Sequence, residues 1–82
     1  MTRDAVERQL IDYIRDELLE DPRAELTPTT ALAEAGLFDS FNILQLLAFS
    51  ERAFGIRIPL EQLSTDDVRD VASVADLIYA RR

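Results

Sequence analysis

Asp39-Ser40-Phe41-Asn42-Ile43-Leu44-Gln45-Leu46-Leu47-Ala48-Phe49-Ser50-Glu51-Arg52-Ala53-Phe54-Gly55 contains the most apolar segment of the chain. It opens on two residue types that favour helix N-caps and closes on a glycine, where a left-handed cap costs least, so it reads as a helix over 41–54. Stepping about 100° per residue from Ser40 puts Ile43, Leu46, Leu47, Phe49, Ala53 and Phe54 on one broad arc, enough for a core. The remaining arc holds Ser40, Phe41, Leu44, Gln45, Ala48, Glu51 and Arg52, so Phe41, Leu44 and Ala48 make a second apolar stripe. A helix apolar nearly all round is either deeply buried or uses one face for a partner, and full burial is hard to arrange in so short a chain.

Upstream, Val6, Leu10, Ile11, Tyr13, Ile14 and Leu18 recur at three- and four-residue spacing with charged residues opposite, which predicts a first helix from Thr2 to Glu20. Proline cannot continue the ladder, so the helix should stop near Asp21-Pro22. Residues 21–39 carry Pro22, Pro28, a threonine-rich patch and Gly36 without any period. Structureless connections this long are uncommon in compact domains, so Leu26, Leu32 and Leu37 are expected to anchor the loop on the core, with one helical turn at 30–35. Downstream, Ile56-Arg57-Ile58-Pro59 reads as a short extended link, and Leu60, Leu63 and Val68 around Ser64-Thr65-Asp66-Asp67 as one or two short helical turns. Ser73 followed by Asp76 resembles a capping box opening a last helix with Val74, Leu77, Ile78 and Tyr79. The expected fold is all-α, a small bundle of three main helices and a short third one, forming a single domain over 1–82.

Composition narrows the chemistry. The 82 residues include no cysteine and no histidine, which excludes disulfides, thiolate metal sites, Cys or His nucleophiles and His-based proton transfer. All nine basic residues are arginines, so no amine is available for a Schiff base. The net charge of −7 opposes binding to phosphate backbones and anionic lipid. No apolar run approaches the length of a spanning helix and the first residues are charged. A cytoplasmic, monomeric protein without metal, nucleic-acid or membrane partners is expected. Asp66 and Asp67 as paired catalytic carboxylates have little support, since adjacent acids at a helix start are ordinarily solvated. Tyr13 and Tyr79 read as core-edge aromatics with solvated hydroxyls, Arg81 and Arg82 as a solvated end, and Asp12, Asp16, Glu17 and Glu20 as a solvated face.

Ser40 admits two readings. Asp39 or Ser40 can simply be the N-cap. Alternatively, the Ser40 hydroxyl is an exposed attachment point, where a phosphate ester would be favoured by free backbone N–H groups and the positive end of the helix dipole.

Gly36-Leu37-Phe38-Asp39-Ser40-Phe41, then Leu44, Leu46-Leu47, Glu51, Phe54-Gly55-Ile56 and Ile58-Pro59, resembles the carrier-protein family, the acyl carriers and the peptidyl or aminoacyl carriers of free-standing type. The resemblance continues through a short third helix and a Val-Ala-Ser-Val-Ala-Asp-Leu-Ile last helix, covering essentially the whole chain. It implies the four-helix carrier bundle, with a long loop between the first and second helices. It also implies that a phosphopantetheinyl transferase attaches 4′-phosphopantetheine from coenzyme A to Ser40, supplying the sulfur the chain lacks. The thiol would carry an acyl or aminoacyl thioester, and the protein would be no enzyme. Asp39, Phe41, Leu44, Gln45 and Ala48 would form the partner-binding surface for an acyltransferase, an adenylating ligase or a ketosynthase-type enzyme.

Two departures stand out. Phe41 replaces the usual leucine after the serine, and Asn42, Gln45 and Arg52 stand where acids are common in fatty-acid carriers. Steering toward basic docking patches would be weaker, which points to dedicated partners in secondary metabolism, of polyketide or nonribosomal-peptide type. The alternatives are an aminoacyl carrier loaded by an adenylating ligase and, more remotely, an unmodified helical adaptor that binds through the second helix.

Overall fold

The computed structural model describes residues 2–81, so the expectation for Arg82 lies outside the described residues. Helix α1 spans Arg3–Tyr13 and is capped by Thr2, whose hydroxyl accepts from the Ala5 N–H at 3.1 Å. It continues as a π-helical turn, Ile14–Leu18, in which the Leu19 N–H reaches the Ile14 carbonyl at 2.8 Å. The sequence reading missed this widening. The wider turn brings the successive residues Leu18 and Leu19 both against the core, and Glu20, at φ 52°, ends the helix just before Pro22.

Helix α2 spans Ser40–Phe54 and helix α3 spans Val71–Ala80. Between them the expected short third helix is two separate 3-10 turns, Leu60–Gln62 and Thr65–Val68. Leu63 and Ser64 are extended and interrupt any continuous ladder, and a reciprocal cap between Ser64 and Asp67 restarts it. The capping box therefore lies at Ser64 and Asp67 and not at Ser73 and Asp76. The Ser73 N–H instead donates to Asp70, the N-cap of α3, at 2.8 Å, and Asp76 pairs with Arg3. The last helix accordingly begins earlier than the serine suggested.

One core unites these elements. Val6, Leu10 and Ile14 of the first helical segment meet Val71, Val74, Ala75 and Ile78 of α3, all fully buried. Arg3 reinforces the pairing from the surface, donating to Glu7, Asp76 and the Ala72 carbonyl. Leu26, Leu32 and Leu37 are buried as expected and fix the long loop. Its backbone is tied to the approach to α3 by Leu32 N–H to the Arg69 carbonyl at 2.9 Å and Ala72 N–H to the Pro28 carbonyl at 2.8 Å. The helical turn expected at 30–35 is a run of tight turns through Gly36, which takes positive φ.

On α2 the core face is Leu46, Leu47 and Ser50, with Ile43, Phe49 and Phe54 half-buried. Ala53 is exposed, contrary to its place on the apolar arc, because it lies in the last turn, two turns beyond Leu46 on the same side, where nothing covers it. Ser50 is fully buried and satisfies its hydroxyl by donating to the Leu46 carbonyl at 2.8 Å. Tyr13 is the core-edge aromatic expected, but its hydroxyl is not left to solvent. Its ring stacks on Phe49 with centroids 4.1 Å apart, and its hydroxyl donates to the Gln45 carbonyl at 3.4 Å, joining the first helix to α2.

Candidate functional site

The site is built at the N-terminus of α2, where the chain leaves the long loop. Leu37 is buried and stops the loop against the core, so Phe38, Asp39 and Ser40 emerge together at the surface. Asp39 is extended, at φ −127° and ψ 165°, and acts as the N-cap: its carboxylate accepts from the Asn42 N–H at 2.8 Å and from the Asn42 side-chain amide at 2.9 Å. These bonds, with a further contribution from the Phe41 N–H, hold the Asp39 carboxyl below the usual aspartate range.

Because Asp39 takes the capping role, the Ser40 hydroxyl is left exposed, with no hydrogen-bond partner among the described residues. Free first-turn N–H groups for a phosphate ester are scarcer than the sequence implied. The Asn42 N–H is held by the Asp39 carboxylate and the Ile43 N–H by the Asp39 carbonyl at 3.0 Å. A phosphodiester on Ser40 would stand beside a carboxylate and face solvent, so the helix end offers it an open position more than a cradle.

A depression of about 390 Å³ opens directly beside Ser40. Phe38, Asp39 and Ile43 line it together with Leu60, Leu63 and Val68 and the hydroxyl-bearing Ser64 and Thr65. The segment with Leu60, Leu63 and Val68 is brought back to α2 in part because Glu51 accepts from the Ile58 N–H at 2.7 Å and ties down the link after Gly55. Sequence reasoning noticed Leu60, Leu63 and Val68 as apolar but could not place them in one depression with Ser40, since no local period connects them to α2. A pantetheine arm, with amides and a branched apolar middle, matches such a surface in chemistry.

Phe41 and Leu44 project into solvent, 67% and 48% exposed, as the second-stripe reading requires. Gln45 and Ala48 are half-buried beside them. Leu60, at 53% exposure, adds a third large apolar side chain in the lining of the depression. Among the described residues no group of acidic side chains could hold a metal ion, and no helix is long and apolar enough to cross a membrane.

Comparison with known proteins gives the family. Residues 8–78 match the family described as "Phosphopantetheine attachment site". The D-alanyl carrier protein of Bacillus velezensis is 32% identical over 60 residues, covering 73% of this chain and 76% of its own. A chain in the solved structure titled "Crystal structure of FAD-dependent dehydrogenase" is 32% identical and superposes with a TM-score of 0.73 over 83% of this chain and 96% of that one. No strand occurs among the described residues, so the likeness is one of helical fold. The chain belongs to the phosphopantetheine-binding family of carrier proteins, which hold 4′-phosphopantetheine covalently and are not themselves enzymes.

Proposed function

We propose that this protein tethers an acyl-type intermediate, as a thioester on a phosphopantetheine arm at Ser40, and presents it to partner enzymes. The observation that carries the assignment to Ser40 is the division of labour at the start of α2: Asp39 caps the helix, and the adjacent hydroxyl stays exposed at the edge of an apolar depression. In the attachment step the Ser40 oxygen forms a bond to the phosphorus next to pantetheine in coenzyme A. The pyrophosphate linkage breaks, the nucleotide half leaves, and the hydroxyl proton passes to the transferase. Tethering then raises the effective concentration of the intermediate at each partner without any new contact.

An aminoacyl cargo, loaded by an adenylating ligase, is favoured over a simple acyl cargo by the likeness to a D-alanyl carrier. The partners are dedicated biosynthetic enzymes in the cytoplasm that dock on Phe41, Leu44, Gln45 and Ala48 beside Asp39. The support is an α2 surface that is apolar at Phe41 and Leu44 and carries Asn42, Gln45 and Arg52 in place of acids. Intact-mass analysis after incubation with a promiscuous phosphopantetheinyl transferase, coenzyme A and Mg²⁺ tests the assignment. One added phosphopantetheine mapped to Ser40, and none in Ser40→Ala, is expected. Modification elsewhere, or none in a folded sample, would overturn it.

A further inference from the structure

The depression beside Ser40 has a neighbour. A second one, of about 340 Å³, is lined by Ala31, Ala33, Phe38, Thr65, Asp66 and Arg69. The two share Phe38 and Thr65, and of these only Phe38 is bulky enough to act as a wall. Its ring is 42% exposed, held by the buried Leu37 before it and the cap at Asp39 after it. Volumes of about 300–1,000 Å³ are those of small-molecule pockets, and the first depression lies at the small end of that range. Further room lies beyond the ring.

Resting on the attachment at Ser40 above, we propose that Phe38 is a specificity-determining residue of the tether site. Its ring separates the second depression from whatever the arm carries, and so restricts cargo that lies against the protein to short groups. Charge does not make the selection. The carboxylate of Asp39 is engaged by Asn42, and at the rim of the second depression Asp66 and Arg69 face each other at 3.6 Å, so neither depression offers a free ion of one sign. Beyond the ring the lining includes the half-buried Ala31 and the exposed Ala33, small side chains that leave space an extended chain would fill.

The test loads the whole protein with acetyl, butyryl, hexanoyl or octanoyl phosphopantetheine from the corresponding acyl-coenzyme A. Intact mass and fragmentation first locate the group. Cleavage of the thioester by hydroxylamine then reports shielding, and the methyl resonances of Ala31 and Ala33 report occupancy beyond the ring. In the wild type, shielding should stop increasing at the short chains, with both alanine methyls unmoved throughout. Phe38→Ala should extend the increase to octanoyl, slowing cleavage several-fold relative to the wild type, and should shift the Ala31 and Ala33 methyls. Phe38→Trp, which keeps a ring in place, should behave as the wild type and separates the gate from a general loss of structure. Identical length dependence in all three proteins, or movement of Ala31 and Ala33 by octanoyl in the wild type, would overturn the role of Phe38 alone. Absence of the arm from Ser40 would overturn the attachment and this inference with it.

Discussion

Asp39 holds Asn42 twice, through the backbone N–H at 2.8 Å and the side-chain amide at 2.9 Å, and by doing so keeps the neighbouring Ser40 hydroxyl out of the capping network. A carboxylate so engaged binds its proton less readily in the folded chain than in the unfolded one. Its contribution to α2 is therefore fully present above the ordinary aspartate range and is lost as pH falls through the lower folded value. Asp39→Asn retains a neutral cap and should abolish that acid-side dependence at α2. Asp39→Ala should lower Tm by a few degrees at neutral pH. Thermal melts across an acid series distinguish the two.

Modification of Ser40 should be felt at Asp39. A phosphodiester one residue away adds a like charge, which disfavours the carboxylate and should raise the Asp39 pKa from its lowered position. Titration of the side-chain carboxyl carbon by NMR in the unmodified and modified proteins reads this directly. An unchanged Asp39 would mean that the phosphate points well away from the helix end.

Phe41 and Leu44 stand off the core, so their loss should cost function and not stability. Phe41→Asp and Leu44→Arg are expected to abolish transfer to a partner enzyme while shifting unfolding free energy by no more than about 0.5 kcal/mol, as surface substitutions do. Urea melts beside a loading assay check both halves. A large loss of stability would place these side chains in the core and remove them from the docking stripe.

Leu47, about one turn beyond Leu44 on the same helix but turned toward the core, is 4% exposed within the central cluster. Leu47→Ala should destabilise the protein by about 2–5 kcal/mol, the transfer and cavity cost of a buried large-to-small change. In so small a chain that is a large share of the total stability. The mutant should unfold at markedly lower urea and, where folded, still accept the arm.

Gly55 ends α2 at φ 66°, where its N–H returns to the Glu51 carbonyl at 3.0 Å. Nothing lies within 4 Å of the position a Cβ would take, so Gly55→Ala meets no steric obstacle beyond its own backbone. The expected cost is about 1–2 kcal/mol, that of an L-residue in the left-handed region. A similar melting loss without change in helix length would confirm that the glycine serves conformation alone.

The α2 helix was legible in the sequence because its cap, apolar arc and terminating glycine are local signals that agree. The exposure of Phe41 and Leu44 was legible for the same reason: helical phase alone separates them from Leu46 and Leu47. The buried leucines of the loop also followed, since a long connection without anchors would be unstable. Ser73-x-x-Asp76 misled because a capping motif is only a few residues long, and Asp70 offers the same chemistry three positions earlier. The choice between them depended on Arg3, which takes Asp76 from the far end of the chain. The π turn at Ile14–Leu18 leaves no mark on the sequence period, and Ser50, although in phase with Leu46 and Leu47, was passed over because its side chain is polar.

Residue order alone thus determined the three main helices and the stripe on α2, because each rests on contacts among neighbours within a few turns. Tertiary structure alone decided that Leu60, Leu63 and Val68 line one depression with Ser40, and that Phe38 borders two depressions. Those relationships join segments separated by a loop and a link whose course is set by burial and by long-range bonds such as Leu32 to Arg69 and Ile58 to Glu51. Helical periodicity is read one turn at a time, whereas the position of one segment against another is fixed only when the whole core closes.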